Sequence, residues 1–184
     1  MIYIVSGFVR SGTSMMMRCL EAGGPPCAYD KTRDAETKTV HGYHPNPNGF
    51  YELDNLHNYA DLSVFAGKVI KVLHADLFRI FDSKIPLRVV YMKRNPAEIR
   101  SSYGKMIGNT AIETFDFLYD YDAKVDRDVQ RLKDAGHEAT ILNYADMVKS
   151  PETALASLGW PIDVNAAARA VDATLYREAQ WQSP

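Results

Sequence analysis

Cysteine is nearly absent from this chain of 184 residues, with Cys19 and Cys27 the only two. A small disulfide scaffold is thereby excluded, and no CxxC pair offers a cysteine-based zinc site. Cys19 falls in an expected helix and reads as packing. Long hydrophobic runs are also missing: no stretch of 18 apolar residues occurs, so no membrane span is expected. The chain opens directly on Ile2-Tyr3-Ile4-Val5, without the basic start and long apolar middle of a signal peptide, and a cytoplasmic location is expected. A surplus of one charge sign is lacking too. With 21 Lys and Arg against 23 Asp and Glu, the formal net charge is -2. Nonspecific nucleic-acid binding needs a basic surplus, so no nucleic-acid partner is expected. A local basic pocket for a small anion is compatible with that balance. Internal repeats, linkers and low-complexity segments are not found.

What remains is ordinary globular composition, 46% hydrophobic and 24% charged, in a length that suits one domain over residues 1–184. Short apolar runs at 2–6, 69–73, 87–92 and 139–142 read as strands, and their near-continuous apolar character suits inner strands of a parallel sheet. Helices are expected from Thr13 to Glu21, and after Asn95, which can cap, with Pro96 in the first turn and Glu98 at the carboxylate position of a capping box. Thr110 and Glu113 offer a second capping box. Behind them Ile112, Phe115, Leu118, Val125, Val129 and Leu132 make one apolar face ended by Gly136. Asp116, Asp120, Asp122, Asp126 and Asp128 make the rest of that helix a solvated acidic face. Shorter helices are expected from Ser150 to Gly159 and over 163–171. Residues 25–60, rich in turn formers, histidine and tyrosine, read as a loop-rich insertion with a short helix near 53–59, placed to act as a lid or to face a substrate. Strand–helix alternation predicts an α/β fold, a three-layer αβα arrangement around a mostly parallel central sheet.

The first strand runs into Gly7-Phe8-Val9-Arg10-Ser11-Gly12-Thr13-Ser14 and then a helix. Glycines let the backbone turn tightly and approach a ligand. The helix N-terminus favours an anion, Thr13 and Ser14 add hydroxyls, and Arg10 adds a charged fork. The Gly7–Gly12 spacing fits the P-loop pattern GxxxxGK[ST], but Thr13 stands where the lysine belongs, which argues against hydrolysis of a nucleoside triphosphate. A second candidate anion site follows the third strand at Lys93-Arg94-Asn95-Pro96, with Ser102 two turns on, because ligands of open α/β sheets bind beyond the C-terminal ends of strands.

Three stretches then resemble, in order, the sulfotransferase family. Val9-Arg10-Ser11-Gly12-Thr13-Ser14 resembles its 5'-phosphosulfate loop. Arg94-Asn95-Pro96 with Ser102 resembles its 3'-phosphate site. Asn143-Tyr144-Ala145-Asp146-Met147-Val148, followed by Ser150-Pro151-Glu152 and Leu158-Gly159-Trp160-Pro161, resembles a later family segment. The resemblance covers residues 1 to about 161. It departs at Val9, where the family usually has proline, at Arg10 in place of lysine, at Ala145 in place of a glutamate, and in the short chain.

The resemblance implies a P-loop NTPase-like version of the fold and a transferase that moves a sulfuryl group from 3'-phosphoadenosine 5'-phosphosulfate (PAPS) to a hydroxyl or amine. The product would be 3',5'-adenosine bisphosphate, no metal would be needed, and the acceptor would be a small molecule or carbohydrate. Arg10, Ser11, Gly12, Thr13 and Ser14 would hold the 5'-phosphosulfate, and Arg94 and Ser102 the 3'-phosphate. Lys71 or His74 would stand near the family's lysine–threonine–histidine segment, with His74 one residue beyond the matching place. Candidate bases are His74 and Glu52, with His41 and His44 behind them. Arg10 would also act on charge developing during transfer. Tyr43, Phe50, Tyr51 and the aromatic run from Phe115 to Tyr121 are candidates for a pocket lining, and Leu175-Tyr176-Arg177 for a further contact to the donor. Asp76 and Asp82, past the second strand, keep a metal open. Two other readings also stay open: a nucleotide-dependent phosphotransferase acting on a small molecule, and a non-catalytic module that binds a nucleotide or phospho-ligand.

Overall fold

The computed structural model describes residues 1–36, 46–53, 61–108 and 112–176. Four strands, β1 (Ile2–Gly7), β2 (Val69–Leu73), β3 (Leu87–Lys93) and β4 (Glu138–Asn143), form an all-parallel sheet in the order β2-β1-β3-β4. The register sets Ile4 opposite both Ile70 and Val89, and Gly7 opposite both Leu73 and Met92. The first three strands therefore end at one level, and the turns that leave them emerge side by side.

Alternation along the strands separates two cores. Ile2, Ile4, Ile70, Val72, Leu87, Val89 and Tyr91 join one; Val5, Val69, Val90, Met92 and Leu142 join the other. The second core is closed by α1 (Thr13–Gly23) through Met16, Met17 and Leu20. The short helix α2 (Lys31–Glu36) and the longer α3 (Pro96–Ile107) flank the site described below. The first core is covered by α4 (Tyr121–Asp134) through Val125, Val129 and Leu132. On the far side, α5 (Tyr144–Lys149), α6 (Pro151–Ala156) and α7 (Val164–Arg169) add Met147, Leu155, Ala167 and Ala168 to the second core. The architecture is thus α/β with helices on both faces of a parallel sheet, as expected. Each large apolar side chain fully buried here is worth roughly 1.5–3 kcal/mol.

The strands match the expected ones to within a residue at each end, whereas three helical expectations need correction. Residues 112–132 are not one helix. A 3-10 helix, Ile112–Leu118, is separated from α4 by Asp120, whose φ of 55° lies in the left-handed region. Aspartate enters that region more readily than most residues, so the apolar spacing continues across a real break. Thr110 lies outside the described residues. Glu98 makes no capping box; it is buried and pairs with Arg94, while Asn95 alone caps α3, accepting from Ala97 N–H at 2.9 Å. The helix expected from Ser150 starts at Pro151 but ends at Ala156, and α5 stands directly before it. Of the expected helix near 53–59, residues 54–60 lie outside the described residues. Among the described residues no helix is long and apolar enough to cross a membrane.

Candidate functional site

β1 ends on Gly7 at φ 143°, where a Cβ would stand 2.5 Å from Ser11 Oγ and 2.6 Å from the Met92 carbonyl oxygen. Only glycine fits that approach. The chain then turns through Arg10 at φ 65°, a left-handed conformation that costs a non-glycine residue about 1–2 kcal/mol. Gly12, at φ 104°, is the N-cap of α1 and supplies no capping side chain. A Cβ there would land on the Tyr144 ring. The first-turn amides of α1 therefore meet no cap, and the positive end of the helix dipole opens at the loop. Ser11 is fully buried, and its Oγ has no hydrogen-bond partner among the described residues.

The turn after β3 lies against this loop. Arg94 donates from Nη1 to the Arg10 carbonyl at 3.0 Å, and Arg10 donates from Nε to Ser102 Oγ at 3.0 Å. Arg94 is buried. Its Nε donates to Glu98 Oε2 at 2.8 Å, and its guanidinium carbon sits 4.3 Å from the Tyr144 ring centroid. Glu98 also accepts from the Tyr176 hydroxyl at 2.8 Å. Tyr121 takes the Arg94 backbone N–H at 3.1 Å. Nη2 of Arg94 has no protein partner among the described residues. Unlike α1, α3 is capped by its own Asn95, so an anion at this turn would be held by side chains more than by helix amides.

The opposite wall is built by β2 and the segment 46–53. The buried Nζ of Lys71 donates to the Phe50 carbonyl at 2.8 Å and lies 3.2 Å from both Ser14 Oγ and Glu52 Oε1. Burial lowers the Lys71 pKa, against the raising effect of Glu52. Asn46 donates from Nδ2 to Ser14 Oγ at 3.0 Å. The segment is fixed from behind by the buried Asp34, whose Oδ1 accepts from the amides of Phe50 and Tyr51. Glu21 on α1 holds it a second way, accepting from the hydroxyls of Tyr29 and Tyr51, each at 2.9 Å.

One cavity is lined by Arg10, Gly12, Thr13, Ser14, Glu52, Lys71, Arg94 and Ser102. Of the phosphate-loop candidates all but the buried Ser11 meet there with Arg94 and Ser102, together with two of the three candidates for the reacting end, whereas Lys93 pairs with Asp122. His74 is the remaining candidate. It follows the last residue of β2 and faces the other core, where Nδ1 lies 2.6 Å from Asp128 Oδ2 and the ring stacks on Phe8 at 3.9 Å. It is not part of the cavity wall, so the structure does not bring it together with the other candidates. The same contact corrects Asp128, which is not merely part of a solvated face. Phe115 and Tyr121 are core residues, Tyr119 is exposed, and Tyr51 turns its hydroxyl to Glu21; of the aromatic lining candidates, Phe50 lines the cavity. Asp76 is paired with Arg79, and no group of three metal-ligating side chains occurs among the described residues. His41, Tyr43, His44 and Arg177 lie outside the described residues.

Sequence reasoning missed Asp34, Glu21 and Arg18, which also lines the cavity. Nothing near Asp34 in the chain marks it, because the amides it gathers are 16 and 17 residues further on. Tyr144, which packs on Gly12 and Arg94, carried a signal: it stands in the third stretch of the sulfotransferase resemblance. Compared with protein-family models and with curated proteins, the chain matches none, so its function has to be argued from the cavity itself.

Proposed function

We propose that this chain is a sulfotransferase that takes PAPS as donor. The observation that carries the reading is the contact between the two turns: Arg94 holds the Arg10 carbonyl, Arg10 holds Ser102, and all three line one cavity. A ligand with an anionic group at each end of one adenosine has a basic, hydroxyl-bearing turn for each. The residues fit such a donor on three further counts. The α1 amides carry no cap, Ser11 Oγ is buried without a partner, and the Gly12 cradle has no room for a Cβ. The three-part resemblance to the sulfotransferase family points the same way.

When bound, the donor supplies a sulfuryl group: its bridging S–O bond breaks with the electron pair leaving on the 5'-phosphate, as the acceptor oxygen forms the new S–O bond and gives up a proton. The α1 amides, Arg10 and Thr13 hold the 5'-phosphate end and are oriented toward its growing charge. Lys71, beside Ser14, brings a cation to the same end of the loop. Glu52, partly exposed and 3.2 Å from Lys71, is a carboxylate of the wall able to accept the acceptor's proton. Arg94 and Ser102 hold the 3'-phosphate.

Calorimetric titration with 3',5'-adenosine bisphosphate, and separately with ATP plus magnesium, tests the donor assignment. Sub-millimolar binding of the bisphosphate with weaker binding of ATP is expected. Binding of ATP alone would sink the proposal and favour a phosphotransferase.

A further inference from the structure

The cavity wall carries a cation that the donor reading does not use. Arg18 follows Ser14 by four residues on α1, so the two share a helix face and their Cα atoms stand about 6 Å apart along the axis. Arg18 is half-buried and lines the cavity. The other cations of the wall are engaged: Arg10 with Ser102, Lys71 with Glu52 and the Phe50 carbonyl, Arg94 with Glu98. Among the described residues Arg18 has neither a hydrogen bond nor an ion pair to the protein. The same cavity is lined by Asn46, whose amide donates to Ser14 Oγ at 3.0 Å, by Asn48 and by the candidate base Glu52.

A partly desolvated guanidinium without a carboxylate is matched by a planar anion that it can grip with two parallel hydrogen bonds. Resting on the sulfotransferase reading, we propose that Arg18 is a specificity-determining residue for the acceptor, and that the acceptor is itself an acid: a polyhydroxylated carboxylate of the uronic-acid type. Its carboxylate lies on Arg18, its reacting hydroxyl faces Glu52, and the amides of Asn46 and Asn48 read neighbouring hydroxyls. A neutral sugar or phenol leaves Arg18 unpaired, and sites lose affinity steeply when a built polar contact goes unmade.

The test compares methyl β-glucuronide with methyl β-glucoside, titrated by calorimetry into the protein both alone and saturated with 3',5'-adenosine bisphosphate. The glucuronide is expected to bind about tenfold or more tightly than the glucoside, as charged hydrogen bonds confer. Arg18→Gln should erase that preference while leaving the affinity for the bisphosphate unchanged. Equal binding of the two glycosides, binding of neither, or a preference that survives Arg18→Gln overturns the proposal. Loss of bisphosphate affinity in Arg18→Gln also overturns it, by assigning Arg18 to the donor. If the bisphosphate fails to bind the native protein, the donor reading falls, and the glycoside comparison on the protein alone still decides the role of Arg18.

Discussion

Arg94 has two partners of opposite consequence. Glu98 balances its charge in a buried pair, and the Arg10 carbonyl uses its Nη1 to brace the loop. Truncating Arg94 alone removes the cation from a buried ion pair and leaves Glu98 its Tyr176 hydrogen bond, a loss of charge pairing that typically costs about 3–5 kcal/mol. Arg94→Ala is therefore expected to lose that order of stability in urea denaturation, whereas Arg94→Met combined with Glu98→Gln removes both charges and should lose clearly less. Both variants should bind 3',5'-adenosine bisphosphate no better than adenosine 5'-phosphate; a retained preference for the 3'-phosphate would take Arg94 out of the donor site. At this scale the meeting of Arg10, Arg94 and Ser102 in one cavity was legible, since they stand at spacings that imply chemistry without knowledge of the fold. The place of His74 was not. Strand alternation turns Lys71 toward α1 and the cavity, and His74, one step past the end of β2, stacks on Phe8 against the opposite core.

At the scale of elements, α1 and α3 begin differently. The side chain of Asn95 occupies the start of α3, whereas Gly12 leaves the start of α1 open. Gly12→Ala places a Cβ on the Tyr144 ring in a backbone conformation that alanine resists. A loss of about 1–3 kcal/mol in denaturation is expected, with a weaker grip on the bisphosphate seen by calorimetry. The boundary of α4 is a separate matter. Asp120 N-caps that helix in the left-handed region, and a β-branched residue there is expected to cost about 1–2 kcal/mol. Asp120→Val should lower the thermal midpoint, and Asp120→Gly should lower it less or raise it. Apolar periodicity marked which face of 112–132 is buried, because Val125, Val129 and Leu132 pack as their spacing implies. It was silent on the break, because periodicity records the direction of side chains and a single left-handed residue can preserve that while interrupting the helix.

For the molecule as a whole, buried phenols dominate the alkaline response. Tyr121 is pushed by burial from the usual 10.0 up to about 12, and burial with the neighbouring Asp128 carries Tyr91 higher still. Tyr51 is likewise raised, by burial and then by its hydrogen bond to Glu21. A hydroxyl that holds its proton more tightly folded than unfolded adds stability that is complete below pH 10 and lost as pH rises through the folded value. Lys71, lowered from 10.5 by burial, works in the other direction as a single group. Stability should therefore fall between about pH 10 and 12, with the buried tyrosines' share of the tyrosinate absorbance at 295 nm appearing together with the loss of far-ultraviolet ellipticity. Ionisation of that buried share before unfolding would contradict the burial described. The layered sheet itself was readable because its apolar runs are short, separate and alternate with helices. The clamp on 46–53 was not, because Asp34 and Glu21 act across distances that only folding closes. Those distances also order events during synthesis. Arg10 is steadied by groups 84 and 92 residues downstream. A nascent chain that has emerged only as far as β2 thus possesses the glycine turn but neither of the braces that hold its arginine, and the pocket becomes competent only after α3 has left the ribosome.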